Sequence, residues 1–189
     1  MPRLPERIAT ERLLLRQWEP ADAAAMGVAI SASIEHLRPW MAWIAAEPLT
    51  DAERTDLVAS WRDSWEAGMG EAHYGVFDGS AVIGSGGLRS EVGPGGMEIG
   101  YWIHADHVRQ GYATEVARAL TTVALGQTGV ERVEIRHDMA NVASAGVPNA
   151  LGYRRGPDRQ RQPQAPAETG TDWVWIMTGR VWDERAQRI

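Results

Sequence analysis

Between Gly96 and Ala124 the hydrophobic period changes from that of a strand to that of a helix across a single glycine turn. Met97-Glu-Ile-Gly-Tyr-Trp-Ile-His104 reads as a strand, and Val116, Ala117, Leu120, Val123 and Ala124 share one face of a helix. Arg109-Gln-Gly-Tyr-Ala-Thr114 joins them. The first N–H groups of such a helix have no intrahelical partner, and the helix dipole makes that end positive. The junction therefore suits a pyrophosphate. Gly111 lets a backbone approach a ligand, and Ala113 is too small to block it. The same glycine would also serve a tight turn with no ligand, and a short glycine motif by itself admits both readings. The segment has neither Gly-Lys-Ser/Thr nor Gly-x-Gly-x-x-Gly, which sets aside a P-loop and a dinucleotide fingerprint.

The flanks supply the remaining elements. Arg12-Leu-Leu-Leu-Arg16-Gln-Trp18 reads as a first strand, and Asp22 is placed to cap a helix to about Ile30. His36-Leu-Arg-Pro-Trp-Met-Ala-Trp43 is an aromatic connector that no period describes. Thr50 or Asp51 caps a second helix to about Ala67, with Leu57, Val58, Trp61 and Trp65 on one stripe and Gly68 as its stop. His73–Phe77 and Ala81–Leu88 flank the hairpin pair Asp78-Gly79. Further on, Val133, Ile135 and His137 alternate as a strand. A helix follows from about Val142 to Leu151, with Pro148 at odds with its middle. Gly152-Tyr153-Arg154 starts another extended piece, and Asp172–Trp182 alternates as the last strand. Gly156–Gly170 holds Pro157, Pro163 and Pro166 among polar residues and reads as a mobile loop. Too little chain follows it for a second domain. Residues 1–189 thus form one α+β domain with a mixed sheet, and 183–189 are its tail.

The formal charge is −6 with no long basic run, which argues against a nucleic-acid partner. There is no cysteine, hence no disulfide, thiolate zinc site or cysteine nucleophile. The five histidines match no metal-site spacing, so no metal is expected. No apolar run approaches the ~18 residues that span a bilayer, and the N-terminus lacks the apolar stretch of a signal peptide. A cytoplasmic protein with no membrane partner is the expectation.

The order of these blocks resembles a known family. Glu98-Ile-Gly-Tyr-Trp-Ile-His104 followed by Arg109-Gln-Gly-Tyr-Ala-Thr-Glu115 is similar to the acyl-CoA-binding core of GNAT acetyltransferases. Thr10-Glu-Arg-Leu-Leu-Leu-Arg16, Leu37-Arg-Pro-Trp-Met-Ala-Trp43, and Asn141-Val-Ala-Ser144 with Leu151-Gly-Tyr153 resemble the RimJ/RimL-like branch, which acetylates ribosomal-protein N-termini. The likeness spans about residues 10–181. It implies a mostly antiparallel seven-stranded sheet, splayed between strands four and five and flanked by about four helices. It implies acetyl-CoA as donor, with the pantetheine arm along Trp102, Ile103 and His104. The pyrophosphate would sit on the amides of Arg109, Gln110, Gly111, Tyr112, Ala113 and Thr114, and Asn141 and Ser144 would contact the pantetheine. A homodimer is implied by analogy alone. Three positions depart from the family pattern: Val108 replaces a polar residue that opens the phosphate loop, Pro148 replaces a general-acid tyrosine, and Asn149 replaces a basic residue.

The expected chemistry is transfer of an acetyl group to a primary amine, possibly a peptide N-terminus. An amine attacks only when unprotonated, so a base is needed. Glu98 is the candidate, on one strand face with Gly100 and Trp102; the alternative is an ion-paired strand residue. An N–H near Ile103 is placed to stabilise the oxyanion, worth about 3 kcal/mol. Ser144 either hydrogen-bonds the leaving sulfur or caps a helix. His36 and His73 are acceptor-pocket candidates. Trp40 and Trp43 either wall that pocket or plug the open side of the sheet. A small-molecule acceptor such as an aminoglycoside or polyamine, or a non-catalytic acyl-CoA-binding module, fits the same residues.

Overall fold

The computed structural model describes residues 4–67, 71–90 and 92–186, so Gly68 lies outside the described residues. In chain order the strands are β1 (Arg7–Ala9), β2 (Leu14–Gln17), β3 (Glu71–Asp78), β4 (Ala81–Arg89), β5 (Gly96–Ile103), β6 (Arg132–Asp138), β7 (Arg154–Arg155), β8 (Arg159–Gln160) and β9 (Thr171–Thr178). The α-helices are α1 (Ala23–Leu37), α2 (Asp51–Glu66), α3 (Tyr112–Leu125), α4 (Val142–Leu151) and α5 (Gly179–Ala186). The strands form one sheet in the order β1-β2-β3-β4-β5-β6-β9-β7, with β8 also on β9. Every pairing is antiparallel except β5 with β6.

Local chemistry sets the boundaries. The Thr50 hydroxyl accepts the Glu53 N–H while the Glu53 carboxylate accepts the Thr50 N–H, so a capping box starts α2 at Asp51. Helix α4 runs through Pro148 because both ends are secured. The Asn141 side chain accepts the Ser144 N–H, and Gly152 turns left-handed at φ +77°.

The sheet is covered on both faces. Val116, Leu120 and Leu151, from α3 and α4, pack on Leu88, Ile99 and Ile135. On the other face Met26 and Ile30 of α1 and Val58 of α2 pack with Trp18, Ile44 and Phe77. Alternation along β5 sends Ile99, Tyr101 and Ile103 to the first face and Trp102 to the second.

One seam of this sheet is open. The β5–β6 ladder runs from Gly96↔Arg132 to Ile99↔Ile135 and stops there. Beyond it Gly100–Ile103 stay paired with β4, and Arg136–Asp138 stay paired with β9. The two strands part as the resemblance implies.

The details differ from the sequence reading in four places. There are nine strands among the described residues rather than seven, because β1 and β8 are two or three residues long and carry no hydrophobic alternation to read. The first helix extends to Leu37 and takes in His36. The last strand ends at Thr178; Val181 and Trp182 lie on α5, where the Trp182 indole reaches the Thr122 hydroxyl on α3. The Gly156–Gly170 segment, read as mobile, is tied to β9. The Arg161 guanidinium bonds Asp172 and Glu168 together, and Glu168 also accepts the N–H groups of Gln164 and Ala165.

Candidate active site

The start of α3 is built by two left-handed residues, Arg109 at φ +58° and Gly111 at φ +83°. Successive turns of this kind aim backbone N–H groups at one point and make an anion nest. The first N–H to close on the helix is that of Glu115, onto the Gly111 carbonyl at 3.0 Å. The N–H groups of Tyr112, Ala113 and Thr114 meet no protein acceptor among the described residues. The loop is held from behind by Arg12, which the sequence reading places at the start of a strand, and by Thr10 just before it. Arg12 bonds the Gln110 carbonyl and the Glu115 carboxylate and lies 4.3 Å over the Tyr112 ring, and Thr10 donates to Glu115.

The open seam adjoins this nest. The His104 N–H donates to the Ile83 carbonyl on β4 at 2.8 Å. By strand alternation the polar groups of Trp102 and His104 face β4, whereas those of Tyr101 and Ile103 face the seam. This corrects the expectation that Trp102, Ile103 and His104 all offer their backbone: of the three, Ile103 does. The His104 ring turns away to accept the Asp106 N–H. The Tyr101 hydroxyl is buried on the α3 side with no hydrogen-bond partner among the described residues, and burial raises its pKa. Bare amides, an unpaired strand edge and an orphaned buried hydroxyl fit an elongated polar ligand such as pantetheine pyrophosphate.

A cavity of about 950 Å³ runs from the seam to the α1/α2 side of the sheet. Glu98, Ser144 and Asn141 line it together with His73, Trp40 and Trp43. Trp43 meets Trp102 at 6.3 Å between ring centroids, so the aromatic connector walls this space. His73 stacks on Trp61 at 4.5 Å, and burial lowers its pKa despite Glu71 beside it. His36 is exposed on α1 and does not line the cavity. The Asn141 side-chain oxygen is spent on capping α4, which leaves its amide NH₂ for any ligand.

Glu98 sits at the last paired rungs of β5 and β6, where the seam begins. Its carboxylate accepts no hydrogen bond among the described residues. The Arg136 guanidinium is 3.5 Å away and that of Arg89 is 3.9 Å away. Arg136 is instead bonded twice to Glu134, at 3.0 and 2.6 Å. Burial raises the pKa of Glu98, and the attraction of Arg89, Arg136 and Arg159 only partly offsets it. The group is therefore a carboxylate with a raised pKa, free of hydrogen bonds among the described residues and at ion-pair distance from two arginines, an arrangement that serves both a base and the ion-paired strand residue of the alternative reading.

Three charged residues near Glu98 were absent from the sequence reading. Arg89, Arg136 and Arg159 come from three different strands, and no spacing in the chain links them. His137, one of the alternating residues of the strand, also lines the cavity, but both ring nitrogens are engaged, by the Asp138 carbonyl and the Trp175 indole.

A sheet peeled open beside a helix that begins on free amides is the architecture that the resemblance to acyltransferases implies. Residues 12–154 match the model of the GNAT acetyltransferase domain, and the chain belongs to that family. It is 27% identical over 150 residues to the "Putative ribosomal N-acetyltransferase YdaF" of Bacillus subtilis (strain 168), which covers 76% of this chain and 78% of that protein. Among solved structures it resembles RimL, a ribosomal L7/L12 alpha-N-protein acetyltransferase in complex with coenzyme A. The TM-score is 0.81 at 17% identity, over 92% of this chain and 98% of that one. RimJ of Mycobacterium smegmatis in complex with CoA-disulfide gives 0.80 at 18% identity, over 95% and 90%. The protein is thus an acyltransferase enzyme of the GNAT type. No helix among the described residues is long and apolar enough to cross a membrane.

Proposed function

We propose that this enzyme transfers an acetyl group from acetyl-CoA to a primary amine at a peptide or protein N-terminus, by direct attack in a ternary complex. The observation that carries this reading is the alignment of three features: the anion nest at Arg109–Thr114, the seam edge at Ile103, and Glu98 at the seam's closed end. The names of YdaF, RimL and RimJ support the choice of acceptor.

Bound acetyl-CoA supplies the acyl thioester; the rest is done by the chain. Glu98, directly or through water, takes one proton from the acceptor ammonium so that the neutral amine can attack, and the second proton leaves the nitrogen for the departing thiolate or solvent as the C–S bond breaks. The Ile103 N–H is aimed where the acyl oxygen would gather charge. The Ser144 hydroxyl, which makes no hydrogen bond among the described residues, is placed to donate to the departing sulfur. A thiolate with a conjugate-acid pKa of about 8.5 leaves without full protonation, so Pro148 in place of a tyrosine is tolerable.

The test is thiol release from acetyl-CoA across a panel of peptides and amines, with the acetylated product located by mass spectrometry. Release that depends on a free peptide α-amine supports the reading. Tight CoA binding with no acceptor-dependent release from any member would reject it.

Gly111→Val tests the nest separately. A β-branched residue in the left-handed region costs about 1–2 kcal/mol, and each ~1.4 kcal/mol is tenfold in affinity. CoA binding by calorimetry is expected to weaken about tenfold with the circular dichroism spectrum unchanged. Undiminished affinity would remove the pyrophosphate from these amides.

A further inference from the structure

The acceptor cavity belongs to a protein with net charge −6, yet the surroundings of its candidate base are cationic. Arg89, Arg136 and Arg159 all act on Glu98. Arg136 is spent on Glu134. Arg89 and Arg159 are not: their nearest carboxylates, Glu98 and Asp172, stand 3.9 Å away, beyond hydrogen-bond reach. Asp172 is already taken by Arg161 at 2.8 Å. Both guanidiniums are about half exposed, at 45% and 54%, and both line the cavity. The seat of Arg89 is shaped for it. A methyl on Gly100 would lie 3.3 Å from its Nη2, so the bare backbone of β5 lets the guanidinium lie over the strand where the seam opens.

Two unspent planar forks beside an acyl-transfer centre form a reader for a planar anion. Resting on the transferase reading above, we infer that Arg89 and Arg159 bind a carboxylate carried by one of the two reactants within a few atoms of the reacting centre. Its source is an acidic residue next to the acceptor's α-amine or the free acid of a dicarboxylic acyl chain.

The test uses matched reactants. N-terminal peptides that differ only in Asp against Asn at the second position are compared with acetyl-CoA as donor. Succinyl-CoA is then compared with acetyl-CoA on the Asn peptide. In each pair kcat/KM is measured by thiol release, and binding is followed through the fluorescence of the tryptophans that wall the cavity. The acidic member of one pair is expected to be favoured about tenfold or more. In Arg89→Ala/Arg159→Ala that preference is expected to fall to about one, with Arg89→Lys/Arg159→Lys in between because charge remains without the fork. A preference in the acceptor pair assigns the carboxylate to the peptide, and one in the donor pair assigns it to the acyl chain. Equal use of both members in both pairs, or a preference that survives the double alanine variant, overturns the inference. If no peptide is turned over, the binding arm still decides: arginine-dependent capture of an acidic reactant keeps this inference while the transferase reading fails.

Discussion

Glu98→Gln is expected to lower kcat by about a hundredfold or more at neutral pH, the usual range for loss of a positioned general base. Affinity for CoA should stay within a factor of two of wild type, on the order of the scatter between such measurements. The substitution keeps shape and volume and removes the ability to hold a proton. A base on this strand must be ionised to work, and burial pushes the Glu98 pKa above the ordinary carboxylate range. Its contribution to rate therefore appears as pH rises through that elevated pKa and is lost below it. The kcat/KM profile of the wild type should carry this acid limb, and the variant should lack it. The same shift has a consequence for stability. A carboxyl whose folded pKa lies above its unfolded one binds its proton more tightly in the native state, so stability falls as pH rises between the two values. Once ionised, Glu98 thus opposes folding, and at a pH above its folded pKa the neutral amide should raise the melting temperature or leave it unchanged. Wild-type turnover in the variant would remove Glu98 from the chemistry. A large loss of stability would recast it as a structural ion pair with Arg89 and Arg136.

Much of this site was legible in the chain because its parts are local. The nest is six consecutive residues, and the change of period on either side fixes what precedes and follows it. Trp43 was readable as a wall candidate because it breaks periodicity beside Pro39. The rest depends on strand pairing that a linear reading does not contain. Arg89 ends β4, Arg136 is on β6 and Arg159 is on β8; they converge through the register of a sheet. Which backbone groups of Trp102–His104 face the seam follows from one hydrogen bond, His104 to Ile83, whose parity the sequence does not state. Arg12 reads as the start of a strand because Leu13–Leu15 follow it, and Thr10 enters only through the resemblance, although the side chains of both brace the start of α3. Arg54 was passed over for a related reason. It falls four residues before Val58, on the buried stripe of α2, and an arginine in that position reads as solvent-facing until its partner is found.

That partner makes Arg54→Ala the substitution with the largest expected cost in stability. Arg54 donates to both oxygens of Glu47 at 3.0 and 2.7 Å, and each side chain is 3% exposed. The pair joins α2 to the connector that carries Trp43, and Gly27 on α1 makes room for it, since a methyl there would lie 3.2 Å from Arg54 Nε. Removing one member strands a buried carboxylate, which costs about 3–5 kcal/mol. For a chain of this length that is roughly 6–20 °C in melting temperature. Replacing both with apolar residues of similar volume, Arg54→Met with Glu47→Leu, removes the stranded charge along with the attraction. Urea unfolding at pH 7 should place the double variant within about 1 kcal/mol of wild type or above it. Acid separates the two further. Burial opposes ionisation of Glu47, but the hydrogen bonds from Arg54 and Leu49 and the charge of Arg54 outweigh it and hold its pKa below the ordinary value. The stability it contributes is present above the unfolded carboxylate pKa, about 4.3, and is lost as pH falls through the lower folded value. The double variant should lose this portion of the acid sensitivity. If the single variant costs less than about 1 kcal/mol, or the double variant costs as much as the single, then the pair is not desolvated as its burial implies. The connector would then have to be held by Ile44 and its apolar neighbours alone.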